Sequence, residues 1–509
     1  MINRVKNGGG STAEEVSSPA EGNVTPMRDE RWWKSDRALL GYLLLAILAV
    51  KFAILAFDSY PRFLMGDSAS YLYTALTGWI PEDRSFTYGF LIRPLTVFPH
   101  SLIPLVVFQT LLGAISAWIA GYCLRLYFKA PFWIAAVCAL ACAIEPLQLL
   151  SERFVLTESV STFLFSVVVW LSLAYLRSAG LVLLLAIQVV SVALISIRIS
   201  YLPVVLANSV LLPLLGPTAL SLWKAIRRKE QPPVRMFRLA SSFAVHFLVA
   251  VLVSQAALYG YRQWNGYLNH RPPAYNYKDG LFLASFWAPV IEPRDFPIPE
   301  LRAPIFDHLT FDLADPTKRN NQCFSQGGLV PQIIKETTAK FGGDGLTYPN
   351  KLAKKTALRA AKRNPLGLLH LFWVTAEEYF DSAYFRSTVE LEEGTIQLAG
   401  EDFDKELRQN FNQGYAPLRP SLVQRWHLSA EPWYYFLLSM PLVFTVLSIV
   451  SGRRYPSEWI FFGVAIYGTT AAMLVMTQEP TVRYMVSNAW LTPLILGASV
   501  AAIISKRAA

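Results

Sequence analysis

Residues 38–57 read ALLGYLLLAILAVKFAILAF, twenty positions in which Lys51 is the one charge. The hydrocarbon core of a bilayer is about 30 Å thick, and a helix rises about 1.5 Å per residue, so a run of this length spans it. The flanks set a direction. Arg31, Lys34 and Arg37 come before the run, and Asp58 and Asp67 after it. Basic residues stay on the cytoplasmic side, so the amino terminus is expected inside. Residues 1–36 are polar, rich in Gly, Ser and Glu, and without hydrophobic periodicity; they read as a disordered cytoplasmic tail. A cleavable signal peptide would carry its apolar core nearer the start, so the run is expected to stay as an anchor.

Working outward, nine further apolar runs follow, at 101–121, 132–150, 158–176, 180–197, 202–222, 240–258, 431–450, 457–476 and 486–504. With the tail inside, each inward loop is basic: Arg125 and Lys129, then Arg177, then Lys224 to Arg238, then Arg453 and Arg454, and finally Lys506 and Arg507. The outward loops hold Asp58, Asp67, Glu82, Asp83, Glu145, Glu152, Glu158 and Glu479. The expected fold is an all-α polytopic membrane protein of about ten spans. Residues 37–258 form a seven-span membrane module, 259–430 an extracytoplasmic loop domain, and 431–509 three carboxy-terminal spans. Within the loop domain, KLAKKTALRAAKRNPLGLLHLFWVTAEEYF (351–380) is basic first and apolar later. It fits a helix lying in the membrane interface and equally an amphipathic helix of a soluble domain.

Composition narrows the function. Of 509 residues, 53% are hydrophobic and 16% charged, and the net charge of +10 sits in short loops rather than on a basic, aromatic-interleaved face. That pattern sets membrane orientation and argues against a nucleic-acid partner. The four cysteines and six histidines are scattered and make no disulfide framework or zinc pattern. Short loops without an ectodomain disulfide suit a bacterial inner membrane.

The candidate chemistry lies at the outward edges. The first outer loop, FDSYPRFLMGDSASYLYTALTGWIPEDRSFTYGFLIRPL (57–95), carries Asp67 ahead of a helix-like stretch, then Arg84 and Arg93 around Phe86, Tyr88 and Phe90. Asp67 fits three roles: helix cap, general base toward a hydroxyl, or cation ligand. The arginines suit a lipid phosphate, or an interface belt. Further edges are EPLQLLSERFVLTES (145–159), with Glu152, Arg153 and Glu158; ISIRISYLP (195–203), with Arg198 and Tyr201; and QEPTVRYMVSN (478–488), with Glu479, Arg483 and Tyr484. Glu158 and Arg198 also fit a simple ion pair. Taken together, Asp67, Arg93, Arg153, Glu158, Arg198 and Arg483 are remote in sequence yet expected at one membrane face. Converging arginines and carboxylates suit a phosphodiester and a hydroxyl acceptor.

These motifs resemble the GT-C superfamily of membrane glycosyltransferases, in particular its polyprenyl-phosphate-sugar-dependent members, which include protein O-mannosyltransferases and lipid A aminoarabinose transferases. The likeness rests on GDSASYLYTAL, EDRSFTYGFLIRPL, ERFVLTES, IRISYLP and EPTVRYM, and on seven amino-terminal spans followed by a variable outer region. It implies an inverting transfer from a polyprenyl-phosphate-linked sugar to a hydroxyl acceptor on a glycan, lipid or protein, at the outer membrane face. It implies Asp67 as base and Arg198 and Arg483 as donor-phosphate ligands, with Arg84 and Arg93 as further candidates. Glu158, Arg153, Tyr88 and Tyr201 are the supporting candidates. Many members carry paired acids in this loop. Here Ser68 follows Asp67 and Asp58 is distant, so no metal ligand set is assigned and a divalent cation stays open as cofactor. The rival expectations are a transporter or flippase of a lipid-linked or anionic substrate, and a non-catalytic membrane assembly subunit. The lack of an internal repeat and the gathering of charges at one edge tell against the transporter.

Overall fold

The structure is a computed structural model that describes residues 30–64, 66–228, 233–392, 401–414, 420–452 and 454–507. Most of the expected amino-terminal tail, and Lys229 and Arg453 of the basic loops, lie outside the described residues. Among the described residues the chain is helical, without a named strand; a parallel bridge joins Arg62 to Phe154.

The protein is a multi-pass membrane protein. Among the described residues, six helices are long and apolar enough to cross a bilayer: Asp36–Phe57, Ile103–Tyr127, Glu158–Ser178, Met236–Asn269, Pro456–Val475 and Val482–Ser505. Two bent pairs, Ile199–Leu215 with Pro217–Lys224 and Glu431–Leu438 with Met440–Ser451, bring the number to eight if each is one span. The first helices are α1 (Glu30–Phe57), α2 (Asp67–Thr77), α3 (Phe86–Thr96) and α4 (Ile103–Tyr127). They are followed by α5 (Phe132–Ala143), α6 (Pro146–Ser151), α7 (Glu158–Ser178), α8 (Leu181–Ile197), α9 (Leu202–Leu215), α10 (Pro217–Arg228) and α11 (Pro233–Asn269).

Three apolar runs that read as continuous are broken. Run 132–150 splits into α5 and the short α6, because Pro146 lacks an N–H and disfavours a helical residue before it. Glu145 fills the gap as a cap, accepting from Gln148 N at 2.6 Å. Run 202–222 bends by 43° where Gly216 meets Pro217, and run 431–450 by 58° near Pro441. Beyond the first bend, α10 exposes Leu220, Trp223 and Ile226.

The bundle packs through small residues. Ala114, Ala117, Ala120 and Cys123 of α4 are buried in one cluster with Ala135 and Ala139 of α5. A Cβ on Gly497 of the last helix would come within 2.8 Å of Leu124 and Cys138 side-chain atoms. Hydrocarbon tails give helices no hydrophobic reason to associate, so close approach through small residues supplies the dispersion contacts instead.

The bundle has two distinct ends. At one, Asp36 pairs with Arg125 at 2.8 Å, Arg177 with Glu458 at 2.8 Å, and Tyr455 donates to the Phe128 carbonyl. The other end gathers the close of α1, the α6–α7 and α8–α9 junctions and the start of the last helix. Residues 270–380 have a buried cluster of their own, including Leu281, Ala284, Ile333 and Ala353.

A charged cleft at one end of the bundle

Four charged side chains of the cleft stand where a helix begins or breaks, and Asp83 and Arg84 lie in the loop before α3. Asp67 opens α2 directly after Gly66, whose φ of 77° belongs to glycine. Glu158 opens α7, and Arg198 occupies the extended residue between α8 and the turn Ile199–Tyr201. Pro203 then restarts the helix as α9. Arg483 lies in the 3-10 turn Val482–Met485 ahead of the last helix. Breaks free the local backbone from the helical ladder and let these side chains point into one space.

Asp67 does not cap its helix. Its two oxygens accept from Arg84 Nη1 at 2.5 Å and Arg483 Nη1 at 2.7 Å. Arg84 is also held by Asp83, at 3.0 Å. Arg483 Nη1 stands 4.0 Å from Glu158 Oε1, which lies 2.6 Å from Arg198 Nη1. Among the described residues, that Arg198 nitrogen has no acceptor in line for a hydrogen bond. The Tyr484 ring has both the Arg198 and Arg483 guanidiniums 5.4 Å from its centre. The chain of charges is therefore Asp83–Arg84–Asp67–Arg483–Glu158–Arg198: three guanidiniums and three carboxylates.

These groups line a cavity of about 220 Å³. Part of its lining is apolar: Ala472 and Met473 from the end of the Pro456–Val475 helix, Met476 just after it, and Ile197 and Val486. Tyr71 and Tyr201 add polar tips; the Tyr201 hydroxyl is bonded to Ser487 Oγ. The carboxylate of Asp67 is 29% exposed and the guanidinium of Arg483 24%. Burial on its own pushes the Asp67 carboxyl up, but the Arg483 and Arg84 guanidiniums outweigh it and hold it below the ordinary aspartate value. The same pairing raises Arg84 against the pull of burial.

Of the residues expected at the site, Asp67, Arg84, Glu158, Arg198, Tyr201 and Arg483 line this cavity. Three do not. Arg153 is 1% exposed and donates to the Asp58 carbonyl at 2.6 Å and to Thr110 at 3.1 Å. Its neighbour Glu152 pairs with Lys51, and both of those are fully buried. Tyr88 is buried behind Tyr71, packing edge-on against it and donating to Gln109 at 3.0 Å. Arg93 lies half-buried on α3, away from the cavity. Asp83 and the Met473–Met476 wall are the members that sequence reading did not single out. Asp83 had a local signal, adjacency to Arg84, whereas the wall is made only by long-range packing.

A divalent cation does not fit this donor set, because both Asp67 oxygens already accept from guanidiniums and Glu158 faces two more. Among the described residues, no group of three His, Cys, Asp or Glu side chains is placed to hold a metal ion.

Residues 270–380 brace both arms of the cleft. Tyr277 N donates to the Glu82 carbonyl at 2.9 Å and Asn276 Nδ2 to the Asp83 carbonyl at 2.7 Å, next to Arg84. On the other arm, Trp287 donates to the Val475 carbonyl at 3.1 Å. The buried Tyr379 hydroxyl accepts from Thr481 N at 3.1 Å, close before Arg483.

No protein-family model, curated protein or solved structure matches this chain.

Proposed function

We propose that the cleft is the active site of an inverting glycosyltransferase that uses a polyprenyl-phosphate-linked sugar. The observation that carries this reading is a single carboxylate, Asp67, held between two guanidiniums in a cavity that also has an apolar wall. Such a cavity offers charge-assisted, bidentate contacts to a phosphodiester and an apolar surface to the first isoprene units.

The chemistry follows from the arrangement. The donor phosphate takes up the N–H groups of Arg483 and Arg198, and Arg483 turns away from Asp67. The carboxylate then loses the larger of the two guanidinium effects that lower its basicity, keeps Arg84 to orient it, and accepts on its freed oxygen the proton of an acceptor hydroxyl. The hydroxyl oxygen bonds to the anomeric carbon as the bond from that carbon to the phosphate oxygen breaks, inverting the centre. The bond electrons leave with polyprenyl phosphate, whose growing charge the guanidiniums stabilise. Asp67 returns its proton to water.

In this reading the ten apolar runs are ten passes, with α5 and α8 as the short ones. The amino terminus is cytoplasmic, the cleft and residues 259–430 are extracytoplasmic, and the membrane is a bacterial inner membrane. The basic residues at the opposite end of the bundle support that orientation. The acceptor hydroxyl belongs to a glycan, lipid or protein.

The test uses purified full-length protein in liposomes carrying extracted lipid-linked sugars. Free polyprenyl phosphate and a glycosylated acceptor are expected with wild-type protein, and neither with Asp67→Asn. Intact lipid-linked sugar moved to the other leaflet would replace this reading with transport.

A further inference from the structure

The sequence 351–380, basic and then apolar, folds as two helices, Thr347–Arg363 and Pro365–Phe380, joined at Asn364. The second is two-faced. Its inner face buries Leu371, Thr375 and Tyr379. Its outer face presents Leu366, Leu369, Trp373 and Phe380, each more than half exposed. The spacing keeps the four on one side over about 21 Å of helix. Four large apolar groups in a row are too many to leave in water without a partner.

Two observations indicate what covers them. Phe380, at the end of the stripe, stacks on Tyr435 with ring centres 6.1 Å apart and planes 13° apart. Tyr435 belongs to Glu431–Leu438, the first half of a bent membrane-spanning pair. The stripe is thus continuous with the lipid-facing surface of the bundle, where Leu442 and Val446 are exposed on the second half of that pair. The helix before it turns Lys351, Lys355, Arg359 and Lys362 to solvent, a cationic face suited to phosphate headgroups. Trp373 donates to Glu377 at 2.5 Å and carries the apolar body and polar edge of an interfacial tryptophan.

We infer that Pro365–Phe380 is seated in the bilayer surface on the cleft side, its stripe among the upper acyl chains, with Thr347–Arg363 against anionic headgroups. The buried face of the same helix carries Tyr379, which holds Thr481 close before Arg483. Contact with lipid and the position of the phosphate-binding arm therefore share one helix. The seating itself does not depend on the proposed transfer reaction.

The experiment is a nitroxide scan of the full-length protein in nanodiscs of phosphatidylglycerol and phosphatidylethanolamine. Single cysteines replace Leu366, Leu369 and Trp373, and Lys355 serves as the aqueous control. The native cysteines are buried or half-buried, and unsubstituted protein supplies their background. Collisions with oxygen should exceed those with a water-soluble nickel chelate at 366, 369 and 373, with the order reversed at 355. Nickel reaching 369 and 373 as freely as 355 would overturn the inference. Shielding of both positions from both reagents would overturn it too, because a protein partner would then cover the stripe.

Discussion

Two ionic clusters lie near the same end of the bundle, and they differ in what water can reach. In the first, Lys51, Glu152 and Arg153 are at most 1% exposed; Lys51 pairs with Glu152, and Arg153 donates to the Asp58 carbonyl and to Thr110. In the second, Asp67, Arg84 and Arg483 are 21–29% exposed and line a cavity. Both draw on residues remote in sequence, and both pair opposite charges. The first closes a joint, tying the end of α1 to the α6–α7 turn through the Asp58 carbonyl. The second leaves room for a ligand between charges that are already paired. Convergence of charge therefore does not by itself mark a site; convergence around accessible space does.

The sharpest way to break this contrast is Asp67→Asn. It should lower transfer by about 10²–10⁴-fold while the protein stays folded, its thermal stability lowered only by the modest contribution of a partly exposed ion pair, since the carboxylate caps nothing. Equal activity would reduce the cleft to another joint. The mirror experiment is Glu152→Ala, which strands Lys51 in a dry interior. It should cost about 3–5 kcal/mol of stability and leave polyprenyl phosphate affinity unchanged in the protein that still folds. Replacing Lys51 and Glu152 together by Met and Leu should recover the part of that loss that comes from Lys51, while Arg153 stays without its Glu152 partner.

Arg483→Lys sharpens the comparison from the ligand side. A lysine keeps the charge but not the fork, and about 1.5–3 kcal/mol of phosphate affinity should go with it, read as binding of polyprenyl phosphate. The smallest effect concerns pH. Asp67 has a lowered folded-state value, so its stabilising link is present above the ordinary aspartate value of about 3.9 and is lost only as pH falls through the lower folded value. The stability difference between wild type and Asp67→Asn should therefore be flat from about pH 8 to pH 5 and vanish at more acid pH. A difference that changes near neutrality would mean that Asp67 titrates elsewhere.

The sequence made the membrane class plain, because span length is set by bilayer thickness and survives any detail of packing. It also brought together Asp67, Arg198 and Arg483, since alternate ends of successive spans share a face. It could not separate Arg153 from them. Both kinds of arginine follow an apolar run, and only tertiary packing turns Arg153 toward Asp58 and Arg483 toward Asp67. Helix breaks were only partly readable. Pro146 and Pro217 end helices by local sterics, yet each lies inside or beside an apolar run whose hydrophobicity suggests continuity. The Met473–Met476 wall carried no sequence signal, as it faces the cleft only once the Pro456–Val475 helix packs beside α9.

The equal tally of guanidiniums and carboxylates in the cleft has a consequence for selectivity. A free inorganic anion meets no excess of positive side chains among the lining residues and competes with internal carboxylates for the guanidiniums. At ordinary solution concentrations that exchange is poorly favoured. A phosphate tethered to a membrane-embedded chain arrives instead at the high effective concentration that confinement beside the mouth provides. The cleft would then discriminate among anions by the dimension they diffuse in, admitting those that travel within the plane of the bilayer over those that travel through water.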